Sequence, residues 1–334
     1  MVTIYDIAKQ ANVSAMTVSR VINNTGRISE ATRERVKQVM EELGYVPNSM
    51  ARSLVKQETK MLSLLITDIT NPFYTTLARG AEDAAKRNGY KLLFGNSDED
   101  YGKERDYVDM VLSTRVDGVL FAPAGDASAD HLRLLQRHGV PFVLLDREVP
   151  GIAADRVLGD SREGARRLTE HLIELGHRRI AMINGRQDVS TARLRYQGYL
   201  EALKLSDVPI DPALAHEAGY TAADGGDLAD ALLSAPEPPT AVFAANNFLA
   251  LAVVRGLRER GVRVPDDISV VCFDDFGETF VLDPFLTAAQ QPAYEFGSLG
   301  MQLLIERIQG AAGAEPRNIV LPSRLVIRQS SKPR

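Results

Sequence analysis

The sequence predicts an all-α N-terminal head joined to a two-lobed α/β body built on parallel sheets. Three observations carry this. Residues 1–45 place apolar side chains at helical spacing in three short runs separated by turn signals. From residue 61 onward, short apolar runs alternate with amphipathic stretches of helical period, the pattern of parallel strands covered by helices. The body implies roughly ten strands, too many for one compact sheet at this length, so two similar lobes are expected.

Totals set the outer bounds. At 334 residues the chain should form two or three folded units. One cysteine excludes an intramolecular disulfide framework and fits a reducing compartment. No apolar stretch approaches the roughly 18–20 residues that span a bilayer, and no secretory signal opens the chain, so a cytoplasmic protein is expected. The net charge of −5 is unevenly spread. Residues 1–60 hold nine Lys or Arg against six Asp or Glu, a net +3, while the remainder holds 30 against 38, a net −8. A basic head on an acidic body fits a chain in which only the head meets phosphate.

In the head, Thr3 is an N-cap with Asp6 three residues on. Ile4, Ile7, Ala8 and Ala11 give one apolar face, and Asn12-Val13 breaks the run. Ser14 caps a second helix over 15–23 with Val18, Val21 and Ile22 inward. A third helix begins near Ser29, carries Val36, Val39, Met40 and Leu43 on its core face, and stops at Gly44. This is a helix-turn-helix unit whose second helix would enter a major groove N-terminus first. Ala15, Met16, Thr17, Ser19 and Arg20 lie off its core face. Arg20 suits guanine or phosphate, Ala15 and Met16 suit a thymine methyl, and Ser14, Thr17, Ser19 and Asn23 suit phosphate oxygens.

The string from Thr3 through Asp6-Ile7-Ala8, Val13-Ser14 and Thr17-Val18-Ser19-Arg20-Val21-Ile22-Asn23 closely resembles the DNA-binding head of the lactose/galactose repressor (LacI/GalR) family. It departs at Asn12, where glycine is frequent. The resemblance implies that 47–60 is a hinge that folds on palindromic operator DNA as a symmetric pair, with Leu54 wedged into the minor groove. The DNA-contacting set it implies is Thr3, Tyr5, Ser14, Ala15, Met16, Thr17, Ser19, Arg20, Asn23, Tyr45, Asn48, Arg52 and Leu54. Domains are expected at 1–46, 47–60 and 61–334.

In the body, strands are expected at 61–67, 90–95, 117–122, 140–145, 179–183, 240–245 and 269–273. Helices are expected at 73–88, 103–114, 161–175, 192–203 and 248–260. Several apolar strands end directly in polar side chains: Thr67-Asp68, Asp146-Arg147, Asn246 and Asp274. Ligands of open parallel sheets bind beyond the carboxyl ends of strands, so these groups should converge on a small polar ligand. Asn71-Pro72-Phe73-Tyr74 adds aromatics beside the first strand end.

Residues 61–334 resemble the periplasmic-binding-protein-type effector domain of the same family, through 160–180, 268–275 and 286–292. That implies two Rossmann-like lobes, one about 61–160 and 292–321, the other about 161–290 and 322–334. The chain would cross between them near 158–162, 288–293 and 320–324. The pocket is similar to that of ribose-binding protein, which implies Asp68, Asn71, Phe73, Tyr74, Asp146, Arg147, Arg195, Asn246 and Asp274 as effector contacts. Tyr220 stands where an aromatic wall is expected, and one of Gln290 and Gln291, with Gln291 taken as the contact, would add an amide. Ala122 stands where the ribose protein has asparagine, so strict ribose identity does not follow and a larger sugar could be taken.

No phosphate-binding loop, no G-x-G-x-x-G after the first strand and no zinc spacing among the five histidines supports an enzyme. Only Asp146 and Asp274 could mimic a hydrolase pair. The reading is a homodimeric, cofactor-free, metal-free transcription repressor with a pentose or hexose inducer. A purine co-repressor and a transport-type sugar-binding protein are the alternatives.

Overall fold

The structure, a computed structural model, describes residues 2–45, 58–219, 225–277 and 282–334. Asn48, Arg52, Leu54 and Tyr220 lie outside the described residues. The chain divides into two compact units, Met1–Thr59 and Lys60–Arg334.

The head has three helices: α1 (Ile4–Gln10), α2 (Ala15–Asn23) and α3 (Glu30–Glu42). Thr3 and Asp6 close a reciprocal capping box at α1, and the Ser14 and Ser29 hydroxyls accept from the Thr17 and Thr32 amides at α2 and α3. Ile7, Ala8, Ala11, Val18, Val21, Val36 and Val39 are buried together. Asn12, in the turn between α1 and α2, has φ 52°. That left-handed conformation explains why asparagine can stand where glycine is frequent.

The body contains two six-stranded sheets. In the first lobe the strands are β1 (Met61–Ile66), β2 (Lys91–Asn96), β3 (Gly118–Phe121), β4 (Phe142–Asp146), β5 (Asp155–Gly159) and β11 (Asn318–Leu321), in the order β11-β5-β4-β3-β1-β2. The second lobe holds β6 (Ile180–Asn184), β7 (Ala215–Glu217), β8 (Ala241–Ala244), β9 (Ser269–Phe273), β10 (Thr287–Gln290) and β12 (Arg324–Val326), in the order β12-β10-β9-β8-β6-β7. All pairings are parallel except β10 with β12. The central strands β3 and β8 are apolar throughout, and β4 is apolar up to its terminal Asp146, because helices cover both faces.

In the first lobe these helices are α4 (Pro72–Arg87), α5 (Tyr101–Thr114), α6 (Ala129–Arg137) and α11 (Ala293–Ile308). In the second they are α7 (Ser161–Glu174), α8 (Ser190–Leu205), α9 (Gly225–Leu233) and α10 (Asn247–Glu259). The chain passes between the sheets three times: from β5 to α7, from β10 to α11, and from β11 to β12.

Helices α4 and α11 pack backbone to backbone. A Cβ on Gly80 would stand 2.0 Å from the Tyr294 carbonyl oxygen, and one on Gly297 would stand 1.9 Å from that of Leu77. Only glycine fits either place. Beside this contact, buried Asp155 on β5 binds both Arg307 of α11 (2.7 and 2.9 Å) and Arg317 before β11 (2.8 Å). Burial alone would raise its carboxyl, but hydrogen bonds from the two guanidiniums outweigh that and hold it at about 2. A depressed carboxyl contributes stability above its unfolded value, and that contribution disappears as pH falls from about 4 to 2. Asp155→Asn is expected to lower unfolding free energy at pH 7 by about 2–4 kcal/mol, measured by urea denaturation.

The C-terminal segment is fastened by two histidines. His171 Nε2 lies 3.0 Å from the Ser331 hydroxyl, and His177 bridges the hydroxyls of Thr240 and Ser269 and the Lys332 carbonyl. Burial lowers the affinity of both for protons. Glu174 opposes this at His171 and the Lys332 carbonyl opposes it at His177, where Arg334 and His171 itself add to it. The unfolded chain therefore binds these protons first, and stability should fall as pH drops below about 6.5. Thermal melts of the chain and of a His171→Asn/His177→Asn variant at pH 7.5 and 5.5 check this. The variant should start less stable and lose less on acidification.

Candidate functional site

Two sites emerge, one in each unit. On the head, the exposed N-terminal part of α2 carries Met16, 65% exposed, with Arg20 exposed one turn later. Tyr5 on α1 is also exposed, at 72%. Other members of the expected set have prior commitments. The Thr3 hydroxyl donates to Asp6, the Ser14 and Thr17 hydroxyls meet at 2.9 Å, and the Ser19 hydroxyl accepts from Asn23 at 3.3 Å. Ala15 and Tyr45 are half-buried against the head core, so Ala15 presents less surface than its place off the apolar face suggested. The side chains most open to a partner are thus Tyr5, Met16 and Arg20.

In the body, the strand ends of the two lobes open on a cleft of about 330 Å³. Thr67, Asp68, Asn71, Phe73, Tyr74, Asp146 and Arg147 line it from the first lobe, and Arg195, Asn246 and Asp274 from the second. Thr70, Asp98, Glu99 and Thr191 also line it; sequence reasoning missed these four. Ala122 is fully buried and does not reach the wall, so the room for a larger sugar expected from it is not found there. Among the described residues no group of three or more His, Cys, Asp or Glu is placed to hold a metal ion.

Two aspartates anchor the site. Asp146 ends β4 and Asp274 follows β9, the corresponding strands of the two sheets. Both adopt left-handed backbone, φ 63° and 65°, at a cost of about 1 kcal/mol each. The Tyr74 hydroxyl donates to Asp146 at 3.0 Å, leaving Asp146 Oδ1 buried without a hydrogen-bond partner among the described residues. Gln291 donates to Asp274 at 2.7 Å, whereas Gln290 turns to Asp275. Gln291 therefore stands behind Asp274 and is not itself on the cleft wall. Burial pushes the Asp274 carboxyl up; Arg195 opposes this and the Asp146 charge adds to it.

The guanidiniums are held in place. Arg147 forks onto Glu99 at 2.6 and 3.0 Å and reaches the Pro123 carbonyl at 3.1 Å. Arg195 donates to the Ala245 carbonyl at 2.6 Å, lies 3.7 Å from Asp274 and sits 3.9 Å over the Phe273 ring. Asn71 and Asn246 cap α4 and α10 through the Phe73 and Leu249 amides. Phe73 packs edge-on against Tyr74 and Phe296, so one face of this aromatic pair is core.

Contacts between the lobes clasp the cleft. Arg193 binds Asp126 through two hydrogen bonds, Tyr101 donates to Asp188 at 2.6 Å, and Arg186 reaches the Ala124 carbonyl at 3.1 Å. Across the cleft, Asn71 and Asn247 pair amide to amide. The arrangement leaves room for a small molecule between two walls rich in acceptors and donors.

Residues 3–48 match the family described as bacterial regulatory proteins, lacI family, and residues 169–331 match the periplasmic binding protein-like domain. The chain is 38% identical over 334 residues to the HTH-type transcriptional regulator DegA of Bacillus subtilis (strain 168), covering 99% of this chain and 98% of that protein. Among solved structures it is similar to a transcriptional regulator CelR–cellobiose complex, with a TM-score of 0.73, 34% identity and coverage of 99% and 100%. It is also similar to the lac repressor dimer bound to operator and the anti-inducer ONPF, with a TM-score of 0.84, 29% identity and 99% of each chain covered.

Proposed function

Because the chain belongs to the lacI family of bacterial regulatory proteins, DNA-binding transcription regulators and not enzymes, we propose that it is a repressor released from its operator by a small sugar. The observation that carries this reading is the convergence of Asp146, Arg195, Asn246 and Asp274 on one cleft. Hydroxyl groups need such a mixture of acceptors and donors at short range. The relative solved with cellobiose supports a sugar. Effector contacts are assigned to those four residues and to Asp68, Asn71, Phe73, Tyr74 and Arg147, with Gln291 positioning Asp274.

The chain is proposed to act as a homodimer, since palindromic half-sites need two heads; the relative solved on its operator is a dimer. Tyr5, Met16 and Arg20 are assigned to DNA contact, Arg20 and Met16 to the bases. Mobility shift against DNA from the chain's own promoter, with random duplex as competitor, tests the first half of the reading. A thermal-shift screen of pentoses, hexoses, disaccharides and purines tests the second. A purine that raises the melting temperature while no sugar does would replace the sugar reading with a co-repressor one.

A further inference from the structure

We infer that the cleft selects an uncharged sugar and rejects phosphorylated and uronic forms. This rests on the reading of the cleft as a sugar site and narrows it to one charge class. Five carboxylates line the walls: Asp68, Asp98, Glu99, Asp146 and Asp274. The cationic side chains among the lining residues are Arg147 and Arg195, and both are already engaged.

Arg147 has its fork on Glu99 and a further bond to the Pro123 carbonyl. Arg195 has the Ala245 carbonyl, the Asp274 carboxylate nearby and the Phe273 ring beneath it. An anion entering the cleft meets five carboxylates against two guanidiniums, and a full ion pair with Arg147 or Arg195 would draw that guanidinium from its present carboxylate. That strands Glu99 or Asp274 as an uncompensated charge in a largely buried place, which is strongly unfavourable. Of the helix N-termini at the cleft, the other common anion holders, those of α4 and α10 are occupied by their own cap side chains, whereas α8, whose Thr191 also lines the cleft, starts without a side-chain cap. Asn71 accepts from the Phe73 amide and Asn246 from the Leu249 amide.

A neutral hydroxyl meets no such conflict. Asp146 Oδ1 is a buried acceptor and Arg195 Nε a buried donor, and neither has a hydrogen-bond partner among the described residues. One hydroxyl can donate to the first and another accept from the second without breaking an ion pair. At about 330 Å³ the cleft lies at the small end of ligand sites, which suits one ring better than an extended chain.

The test is isothermal titration of the full chain with matched pairs: D-ribose and ribose 5-phosphate, D-glucose and glucose 6-phosphate, D-glucose and glucuronate, D-galactose and galactose 6-phosphate. At least one neutral sugar should bind at least about tenfold more tightly than its anionic partners. In Glu99→Gln, where Arg147 loses its forked partner and keeps Asp146 at 3.7 Å as counter-charge, the phosphorylated partner should gain and the ratio should narrow. An anionic form that binds as tightly as its neutral partner overturns the charge selection while leaving the sugar reading intact. An unchanged ratio in Glu99→Gln also counts against it. Binding by neither member of any pair removes the sugar reading, and the selection with it.

Discussion

Asp274→Ala should leave operator binding within about twofold of the parent and weaken effector binding by about 100-fold. A hydrogen bond to a charged acceptor contributes about 1.5–3 kcal/mol, and a carboxylate at the cleft wall can accept two from a sugar. Operator binding is spared because the head folds around its own core of Ile7, Val18, Val21, Val36 and Val39. The same residue predicts a pH effect. Its carboxyl is pushed up by burial, with Arg195 opposing and Asp146 adding. Its use as an acceptor is complete above that raised value and is lost as pH falls through it, so effector affinity should decline on acidification. Calorimetry on Asp274→Ala and on the shape-preserving Asp274→Asn, across pH, checks both statements. A parental response to effector in Asp274→Ala would mean that the cleft is not the effector site.

Arg20→Ala should reduce specific operator binding by about 1–3 kcal/mol while leaving the head folded. Arg20 lies in the last turn of α2, exposed, and the helix is held by the Ser14 cap and by Val18 and Val21 without it. Salt dependence separates its two potential contacts. A base contact makes the loss fall on cognate DNA and spare random duplex, whereas a phosphate contact weakens both alike and lowers the salt slope by about one. Mobility shifts on both duplexes at two salt concentrations, with far-ultraviolet circular dichroism as the folding control, provide the readout.

Much of this architecture was legible from residue pattern. The seven apolar runs expected as strands each coincide with a strand to within two residues at either end, because strands buried on both faces leave a continuous apolar signature. Polar residues directly after such runs mark the cleft, since the pleat ends where the apolar core ends. Helix α11 carried no comparable signal. Gly297 and Gly300 lower its intrinsic propensity, and the reason for at least Gly297 is a contact with α4, remote in sequence. Glu99 was equally hidden. It lies in a loop, with φ 60°, and gains its meaning from Arg147 on another strand end. The clasp of Arg193 with Asp126 depends on how two lobes meet, which no local pattern encodes. Capping roles for Thr3 and Ser14 were readable, and they compete with the DNA contacts expected from the same hydroxyls.

The most direct test of the central claim, that effector binding between the lobes governs DNA binding by the head, is one fluorescence-anisotropy titration. Labelled promoter duplex is titrated with the full chain, alone and with D-ribose, D-glucose, D-galactose or cellobiose at saturating concentration. Tight, sequence-selective binding that weakens at least about tenfold with one of these sugars, a coupling of roughly 1.4 kcal/mol, is the predicted result. Operator affinity unchanged by a sugar that calorimetry finds bound in the cleft would contradict the account.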